Sequence, residues 1–215
     1  MNDINNQSNY WDGVASFKTF THPIDLALLK ERFDPANTSA LDYGCGYGRL
    51  TSALNDAGFT NIIGVDTSAA LIKRGKETFP ALDLRWIESP SSLPFPTGSF
   101  DLIIVFAVLT CIPANDAQKA LISSLKNLLK PGGAIYISDY YLQDNRMEVK
   151  EYCSLNNDPA NYGVFSLPEG ATFRHHTKEW IEELLGDFTI NTNKMIEVKT
   201  MNGHAAQAFQ IIALK

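Results

Sequence analysis

The stretch ALDYGCGYGRL, residues 40–50, decides the fold of this chain. It joins a short apolar segment to three glycines at alternate positions, Gly44, Gly46 and Gly48, and a segment with helical spacing follows. In open α/β sheets the first strand-to-helix turn is a nucleotide site, because glycines let the ligand approach the backbone and the helix amides point at it. Three alternating glycines preceded by Asp42 favour a bound ligand over a tight turn without one.

Strand and helix patterns alternate along the chain around this turn. Residues 10–33 predict one or two helices divided by Pro23, and residues 177–185 predict the last helix. Predicted strands cover 40–44, 61–66, 82–88, 100–109, 134–141, 188–198 and 206–215, with helices over 47–57, 69–79 and 115–129. The last two strands flank the hairpin signal Asn202-Gly203. This alternation predicts an α/β fold with a mostly parallel central sheet and a C-terminal antiparallel hairpin.

The chain length predicts one domain over residues 1–215. We divide it into an N-terminal helical cap at 1–33, a core at 40–141 and a long connection at 142–172. That connection holds only a weak periodic segment at 146–153, and a connection of this length is usually a lid or a binding loop on the substrate side. Three of its aromatic residues can cover a substrate or pack onto the domain: Tyr152, Tyr162 and Phe165.

Charge and composition exclude several classes of partner. The net charge of −6 and the pI of about 5.2 disfavour nucleic acid, and the densest basic cluster, residues 73–76, predicts a solvated helix face. No stretch is long and apolar enough to span a bilayer, and the polar N-terminus is not a signal peptide. Three distant cysteines without a CxxC pair suit a reducing compartment and predict no metal site. We therefore expect a cytoplasmic monomer or homodimer.

The end of the second predicted strand bears on which nucleotide binds. Asp66 can accept hydrogen bonds from both hydroxyls of a ribose. Because NAD and other nucleoside cofactors all contain a ribose, this residue does not distinguish between them. A dinucleotide site requires the spacing GxGxxG, whereas this chain has GxGxG followed by Arg49. The spacing counts against a NAD-type oxidoreductase, which stays open as an alternative.

Four motifs follow one another in the core: ALDYGCGYGRL, IIGVDTS, SLPFPTGSFDLIIVFAVL and LLKPGG. In this order they resemble the class I S-adenosylmethionine-dependent methyltransferases, and YWDGVA and HTKEWIEELL resemble the small-molecule branch of that family. The resemblance implies a single Rossmann-like domain with a seven-stranded sheet and helices on both faces. It also implies S-adenosyl-L-methionine as cofactor and a small-molecule methyl acceptor. A non-catalytic S-adenosylmethionine-binding regulator is the second alternative.

The resemblance implies cofactor-binding roles along the core. Residues 42–48 would form the wall under the methionine part, Asp66 would bind the ribose, and Thr67 would lie against the adenine. Residues 106–110 would line the cofactor on the substrate side. The implied cofactor-binding residues are Asp42, Gly44, Cys45, Gly46, Gly48, Asp66, Thr67, Ser89, Pro90, Phe106 and Ala107.

Candidates for the substrate side lie outside these motifs. Tyr140 ends the fifth predicted strand, where α/β sites lie, with a packed strand end as the alternative. His175 and His176, in FRHH, can orient or deprotonate an acceptor, with surface histidines before a helix as the alternative. Tyr10 and Trp11 precede the first helix core and are expected to close over the cofactor.

The implied reaction needs little from the protein beyond alignment. Methyl transfer from a sulfonium is an in-line displacement in which the cofactor supplies the reactive group. Good alignment alone supplies roughly 7–11 kcal/mol of the barrier. Many relatives carry histidine or asparagine where this chain has Thr110 and Cys111, so the resemblance carries no catalytic base over.

Overall fold

The computed structural model describes residues 7–91, 93–143, 152–201 and 203–215. Its strands are β1 Ala40–Tyr43, β2 Ile62–Asp66, β3 Asp83–Trp86, β4 Phe100–Phe106, β5 Leu129–Tyr140, β6 Cys153–Ser154, β7 Tyr162–Ser166, β8 Thr172–Arg174, β9 Thr189–Lys199 and β10 Ala205–Leu214. Its helices are α1 Ser8–Val14, α2 Leu26–Arg32, α3 Arg49–Asp56, α4 Ala69–Thr78, α5 Asn115–Leu128 and α6 Lys178–Leu184.

The larger sheet has seven strands in the order β3-β2-β1-β4-β5-β10-β9, which confirms the predicted fold class. The strands β1 to β5 run parallel, whereas β10 pairs antiparallel with both β5 and β9. From β1 the chain adds β2 and β3 on one side of the sheet, and it then returns to add β4 and β5 on the other side. The strand order therefore switches between β1 and β4. Ligands of open α/β sheets bind outside the carboxyl ends of the strands at such a switch.

Strand β4 is buried on both faces because helices cover both sides of the sheet. Ile103 and Val105 belong to a core cluster with residues of α5 and α6, whereas Leu102 and Ile104 belong to a cluster with residues of α2 and α3. Successive side chains of a strand point to opposite faces, so a strand that is covered on both sides is apolar throughout. This burial explains the continuous apolar run in the sequence of β4.

The N-terminal helices are shorter than the sequence predicted. Helix α1 ends at Val14 and α2 begins only at Leu26, because Asp25 caps it by accepting a hydrogen bond from the amide of Leu28 at 3.0 Å. The residues between the two helices, 15–25, are not helical, and several of them reach the carboxyl ends of the strands. The side chains of this segment therefore become available to the site.

The connection after β5 contains a small sheet that the sequence analysis did not predict. Strands β6, β7 and β8 pair antiparallel in that order. They contain two, five and three residues, too few to show a strand period. Most of the weak periodic segment at 146–153 lies outside the described residues.

One boundary of the larger sheet differs from the prediction, and its predicted hairpin is confirmed. Strand β5 begins at Leu129 rather than at residue 134, because Leu129 pairs with Phe100 before a register shift. The predicted C-terminal hairpin is present as β9 and β10, while Asn202 of its turn lies outside the described residues. Within the described ranges, no helix is long and apolar enough to cross a membrane.

Candidate active site

The glycine turn after β1 is held in a conformation that suits glycine alone. The φ angles of Gly44, Gly46 and Gly48 are +73°, +58° and +84°, in the left-handed region. A Cβ on Gly46 would lie 2.1 Å from Cε2 of Phe20, and one on Gly44 would lie 2.4 Å from Cγ2 of Val108. The sequence analysis assigned these glycines to a ligand, whereas in the structure the protein's own side chains also pack against the turn.

Two acids stand at the carboxyl ends of β1 and β2. The carboxylate of Asp66 accepts hydrogen bonds from the amides of Gly46 and Ser68, both at 2.8 Å. Burial raises the pKa of Asp66, while these amides lower it. Asp42 accepts a hydrogen bond from Oγ1 of Thr51 at 2.7 Å, and burial raises the pKa of Asp42 to about 6. The glycine turn and the start of α4 fix the carboxylate of Asp66, and a side chain of α3 fixes that of Asp42.

A cavity of about 310 Å³ opens over the carboxyl ends of the parallel strands. Among the predicted site residues, those that line it are Trp11, Asp42, Gly44, Cys45, Asp66, Thr67, Pro90, Phe106, Ala107, Tyr140 and His175. Ala107, directly after β4, has a φ of +54°, which is strained for a residue with a side chain. Such strain clusters at ligand sites, and here it lies in the cavity wall.

The predicted site residues that do not line the cavity are Tyr10, Gly46, Gly48, Ser89 and His176. Gly46 acts through its amide, which binds Asp66, and Tyr10 packs edge-on against the rings of Trp11 and Phe173. Gly48, whose added Cβ would meet Leu84, packs against the sheet, and the Ser89 hydroxyl lies 3.3 Å from that of Ser91.

His176 belongs to a buried network rather than to the cavity. Its Nε2 lies 3.0 Å from Nε2 of Gln118 and its Nδ1 lies 3.2 Å from the carbonyl oxygen of Tyr140. Oε1 of the same glutamine accepts a hydrogen bond from the Trp180 indole at 2.7 Å. Burial and the charge of Arg174 lower the pKa of His176 to about 3, so the ring is neutral and structural.

The N-terminal cap is fastened across the mouth of the cavity by side chains that bind backbone groups. Gln7 donates to the carbonyl oxygens of Cys111 and Thr172 and accepts from the amide of Thr172 at 2.9 Å. Asp12 accepts from the Ser68 hydroxyl at 2.6 Å, and Arg74 donates to two carbonyl oxygens of the cap at 2.8 Å. The cap is thereby bound to the turn after β2, to α4 and to the connection after β5.

The insert, residues 152–174 as described, supplies the opposite side of the mouth. Phe165 and Phe173 line the cavity and Phe173 packs edge-on against Trp11, with ring centroids 6.1 Å apart. Arg174 is 2% exposed and donates to the carbonyl oxygens of Pro113 and Tyr162, both at 3.0 Å. Burial lowers the pKa of Arg174 to about 10, and its bonds anchor the insert rather than reach the cavity.

Two imidazoles contact the ring of Tyr140 in the cavity wall. The ring of His175 stacks on it at 5.2 Å and 28°, and the ring of His22 meets it edge-on at 5.2 Å and 86°. The Nδ1 atom of His175 is 2.6 Å from the hydroxyl of Tyr152, a residue of the insert. Burial raises the pKa of Tyr140, so its hydroxyl stays protonated at neutral pH.

Comparisons with known proteins agree with this geometry. A family model described as "Methyltransferase domain" matches residues 41–137. The Ubiquinone biosynthesis O-methyltransferase of Xanthomonas oryzae pv. oryzae (strain PXO99A) is 27% identical over 191 residues, which cover 81% of this chain and 70% of that protein.

Solved structures show the same fold. A SAM-dependent methyltransferase from Methanosarcina mazei superposes with a TM-score of 0.74 at 22% identity, over 87% of this chain and 96% of that one. The 1,6-didemethyltoxoflavin-N1-methyltransferase of Burkholderia thailandensis, solved with its substrate and S-adenosylhomocysteine, gives 0.62 at 16% identity, over 99% of this chain and 81% of that one. Residues 41–137 of this chain thus match a methyltransferase domain, and the chain has the fold of the S-adenosylmethionine-dependent methyltransferases. Its cofactor is S-adenosyl-L-methionine.

Several cavity residues of this methyltransferase were not predicted as site residues. The cap contributes Phe20, Thr21 and His22, and Arg49 follows the glycine turn. The turn between β9 and β10 and the start of β10 contribute residues to which the sequence analysis gave no role in the site: Thr200, Met201, His204, Ala205 and Ala206. Of these residues, His22 and Arg49 are of types that often bind ligands. Neither stands in a motif or at a spacing that indicates a site, so the sequence alone did not identify them.

Charge is confined to one part of the methyltransferase cavity. Of the described residues that line it, only Asp42, Arg49 and Asp66 belong to the charged types Asp, Glu, Lys and Arg. All three come from β1, β2 and the first residue of α3, which together with the glycine turn we call the cofactor half. The ends of β4 and β5, the insert and the β9–β10 turn form the acceptor half. Over the ranges that the structure describes, no group of three His, Cys, Asp or Glu side chains is placed to hold a metal ion.

Proposed function

We propose that this methyltransferase methylates a hydroxyl oxygen of a small, flat and uncharged acceptor. The observation that carries the proposal is the separation of the cavity into a charged cofactor half and an acceptor half lined by aromatic, aliphatic and neutral polar side chains. A cation or anion in the acceptor half would be desolvated without an Asp, Glu, Lys or Arg side chain among the described residues that line it, which is costly. The relatives named O-methyltransferases support oxygen as the accepting atom.

The cofactor half fits S-adenosylmethionine, which supplies an electrophilic methyl group when bound. The carboxylate of Asp66 borders the cavity and keeps lone pairs for two ribose hydroxyls beyond the amides that it binds. Arg49 donates to the carbonyl oxygen of His22, while its buried Nε has no partner among the described residues. That Nε can bind the carboxylate of the methionine part.

The acceptor half holds a flat ring by aromatic contacts and closes over it. Phe106, Tyr140, Phe165 and Phe173 present ring faces and edges to the cavity, and such surfaces favour another aromatic ring. The cap and the insert meet through Gln7 and exclude water from the mouth. Alignment in this closed space is the main contribution that we assign to the protein.

Methyl-labelled S-adenosylmethionine and a matched set of acceptors test the proposal. Catechol is compared with 3,4-dihydroxybenzoate, which adds an anion, and with dopamine, which adds a cation. We expect labelled product from catechol at a higher kcat/KM than from either charged analogue. A preference for a charged analogue, or no turnover of catechol, would contradict the proposed acceptor class.

A further inference from the structure

The hydrogen bonds of His22 define its tautomer. The Ser138 hydroxyl donates its single hydrogen to the carbonyl oxygen of Phe209 at 2.7 Å. The bond of 2.6 Å between this hydroxyl and Nε2 of His22 must then be donated by the imidazole. The proton of the neutral ring is therefore on Nε2, and Nδ1 carries a free lone pair.

The Nδ1 atom of His22 is buried and has no hydrogen-bond partner among the described residues. The residue is 4% exposed, and it is one of those that line the cavity. A buried acceptor without a partner costs about 1–3 kcal/mol, so a ligand group that donates a hydrogen bond there would recover this loss. Burial and the charge of Arg49 lower the pKa of His22 to about 4, which keeps the lone pair unprotonated at neutral pH.

The ring of His22, a residue of the cap, contacts the acceptor half. It meets the ring of Phe106, at the end of β4, edge-on at 5.7 Å and 74°, and it meets Tyr140, at the end of β5, at 5.2 Å. Its backbone is held by Arg49, which donates to its carbonyl oxygen. The ring is thus fixed by two residues at strand ends, and the first residue of α3 holds the backbone of His22.

We propose that Nδ1 of His22 accepts a hydrogen bond from the acceptor hydroxyl and takes its proton during methyl transfer. This inference rests on the proposed function. The acceptor oxygen forms a bond to the methyl carbon while the carbon–sulfur bond breaks and its electron pair stays on sulfur. The hydroxyl proton passes to Nδ1, and His22 later releases it to water.

The charge balance of the cavity favours this step. The positive charge of the sulfonium disappears as the imidazolium forms, so the net charge of the buried site does not change. An oxygen that is forming its third bond is strongly acidic, and a weakly basic imidazole suffices to remove its proton. His175 is less suited through Nδ1, since the Tyr152 hydroxyl lies 2.6 Å from that atom.

Two variants separate this role from a structural one. His22→Gln can place an amide nitrogen where Nε2 stood and keep the bond to Ser138, but it has no acceptor at the Nδ1 position. His22→Asn places an oxygen near the Nδ1 position and loses the bond to Ser138. A structural role predicts that His22→Asn loses thermal stability and that His22→Gln resembles the wild type.

Calorimetry with catechol and the S-adenosylhomocysteine complex tests the binding part. We expect His22→Gln to weaken catechol binding about fivefold to tenfold and His22→Asn to retain it within about threefold, because a hydrogen bond of this kind contributes about 1 kcal/mol. Equal catechol affinity in the wild type and in His22→Gln would refute the assignment while leaving the acceptor class intact. No catechol binding by the wild type would refute both.

Kinetics and nitrogen NMR test the proton transfer. In His22→Asn we expect kcat to fall about a hundredfold with little change in KM, since an amide oxygen accepts a hydrogen bond but not a proton. In the wild type, long-range ¹H–¹⁵N spectra should show a bare Nδ1 whose resonance shifts when catechol joins the S-adenosylhomocysteine complex. A protonated Nδ1, or a shift on S-adenosylhomocysteine alone, would overturn the proposal.

Discussion

The packing of Phe20 on the glycine turn gives a sharp prediction for Gly46→Ala. At a φ of +58° an alanine costs about 1–2 kcal/mol in the left-handed region. Its Cβ would also lie 2.1 Å from Cε2 of Phe20, and overpacking of this kind adds about 1–3 kcal/mol. We expect Gly46→Ala to lower the free energy of unfolding by about 2–5 kcal/mol, the sum of these two contributions.

Gly98→Ala is the matched control for the backbone contribution. Gly98 has a φ of +70°, and no heavy atom lies within 4 Å of an added Cβ. We expect this control to cost only the backbone part, about 1–2 kcal/mol. Urea unfolding measures both variants, and an unchanged m-value would show that the difference lies in stability alone.

A double-mutant cycle with Phe20→Ala isolates the steric contribution. In the Phe20→Ala background the ring is gone, so Gly46→Ala should cost no more than Gly98→Ala does in the wild type. The cap would not pack on the turn as described if Gly46→Ala and Gly98→Ala cost the same in the wild type. The same conclusion would follow if the excess cost of Gly46→Ala persisted without the ring.

Three further predictions follow from the hydrogen bonds of the site. Asp66→Asn should weaken S-adenosylhomocysteine binding at least tenfold by calorimetry, since bonds to a charged acceptor contribute about 1.5–3 kcal/mol each. The control Asp83→Asn, at an exposed position, should leave the affinity unchanged, and equal affinities of the two variants would remove Asp66 from the site. Gln7→Leu breaks the bonds between cap and insert, so limited proteolysis of the N-terminus should accelerate; an unchanged rate would contradict the fastening of the cap. The folded-state pKa of His176, about 3, lies below its ordinary 6.5, so His176 contributes stability above pH 6.5 that is lost as the pH falls towards 3. His176→Phe should therefore reduce the dependence of the free energy of unfolding on pH between 6.5 and 3, and an unaltered dependence would refute the neutral core histidine.

The sequence predicted those parts of the site that are built from neighbouring residues. The glycine turn lies between one strand and its helix, and Asp66 ends the next strand, so their geometry follows from local backbone rules. The fold class followed in the same way, because the alternation of β1 to β5 with helices is a pattern in short windows of sequence.

The acceptor half could not be predicted in this way, because its residues acquire their roles from distant partners. His22 is defined by Ser138, which is 116 residues away in the chain. The sequence analysis treated His175 and His176 alike, yet the structure places the first in the cavity wall and the second against Gln118. Adjacent residues at a strand end point to opposite sides, and only the packing of α5 decides which side is the core.

The division of charge in the cavity follows from where the chain provides backbone amides. Asp66 is buried beside the glycine turn and the start of α4, and both supply amides to its carboxylate. At the end of β5, Asp139 accepts hydrogen bonds from the amides of Thr110 and Tyr140, at 3.0 and 2.8 Å, and does not line the cavity. Burial raises the pKa of Asp139 to about 7, so even with two amides this acid is easily neutralised. The described residues that line the acceptor half include no Asp or Glu, so an acceptor there meets hydroxyl, carbonyl and imidazole groups rather than carboxylates.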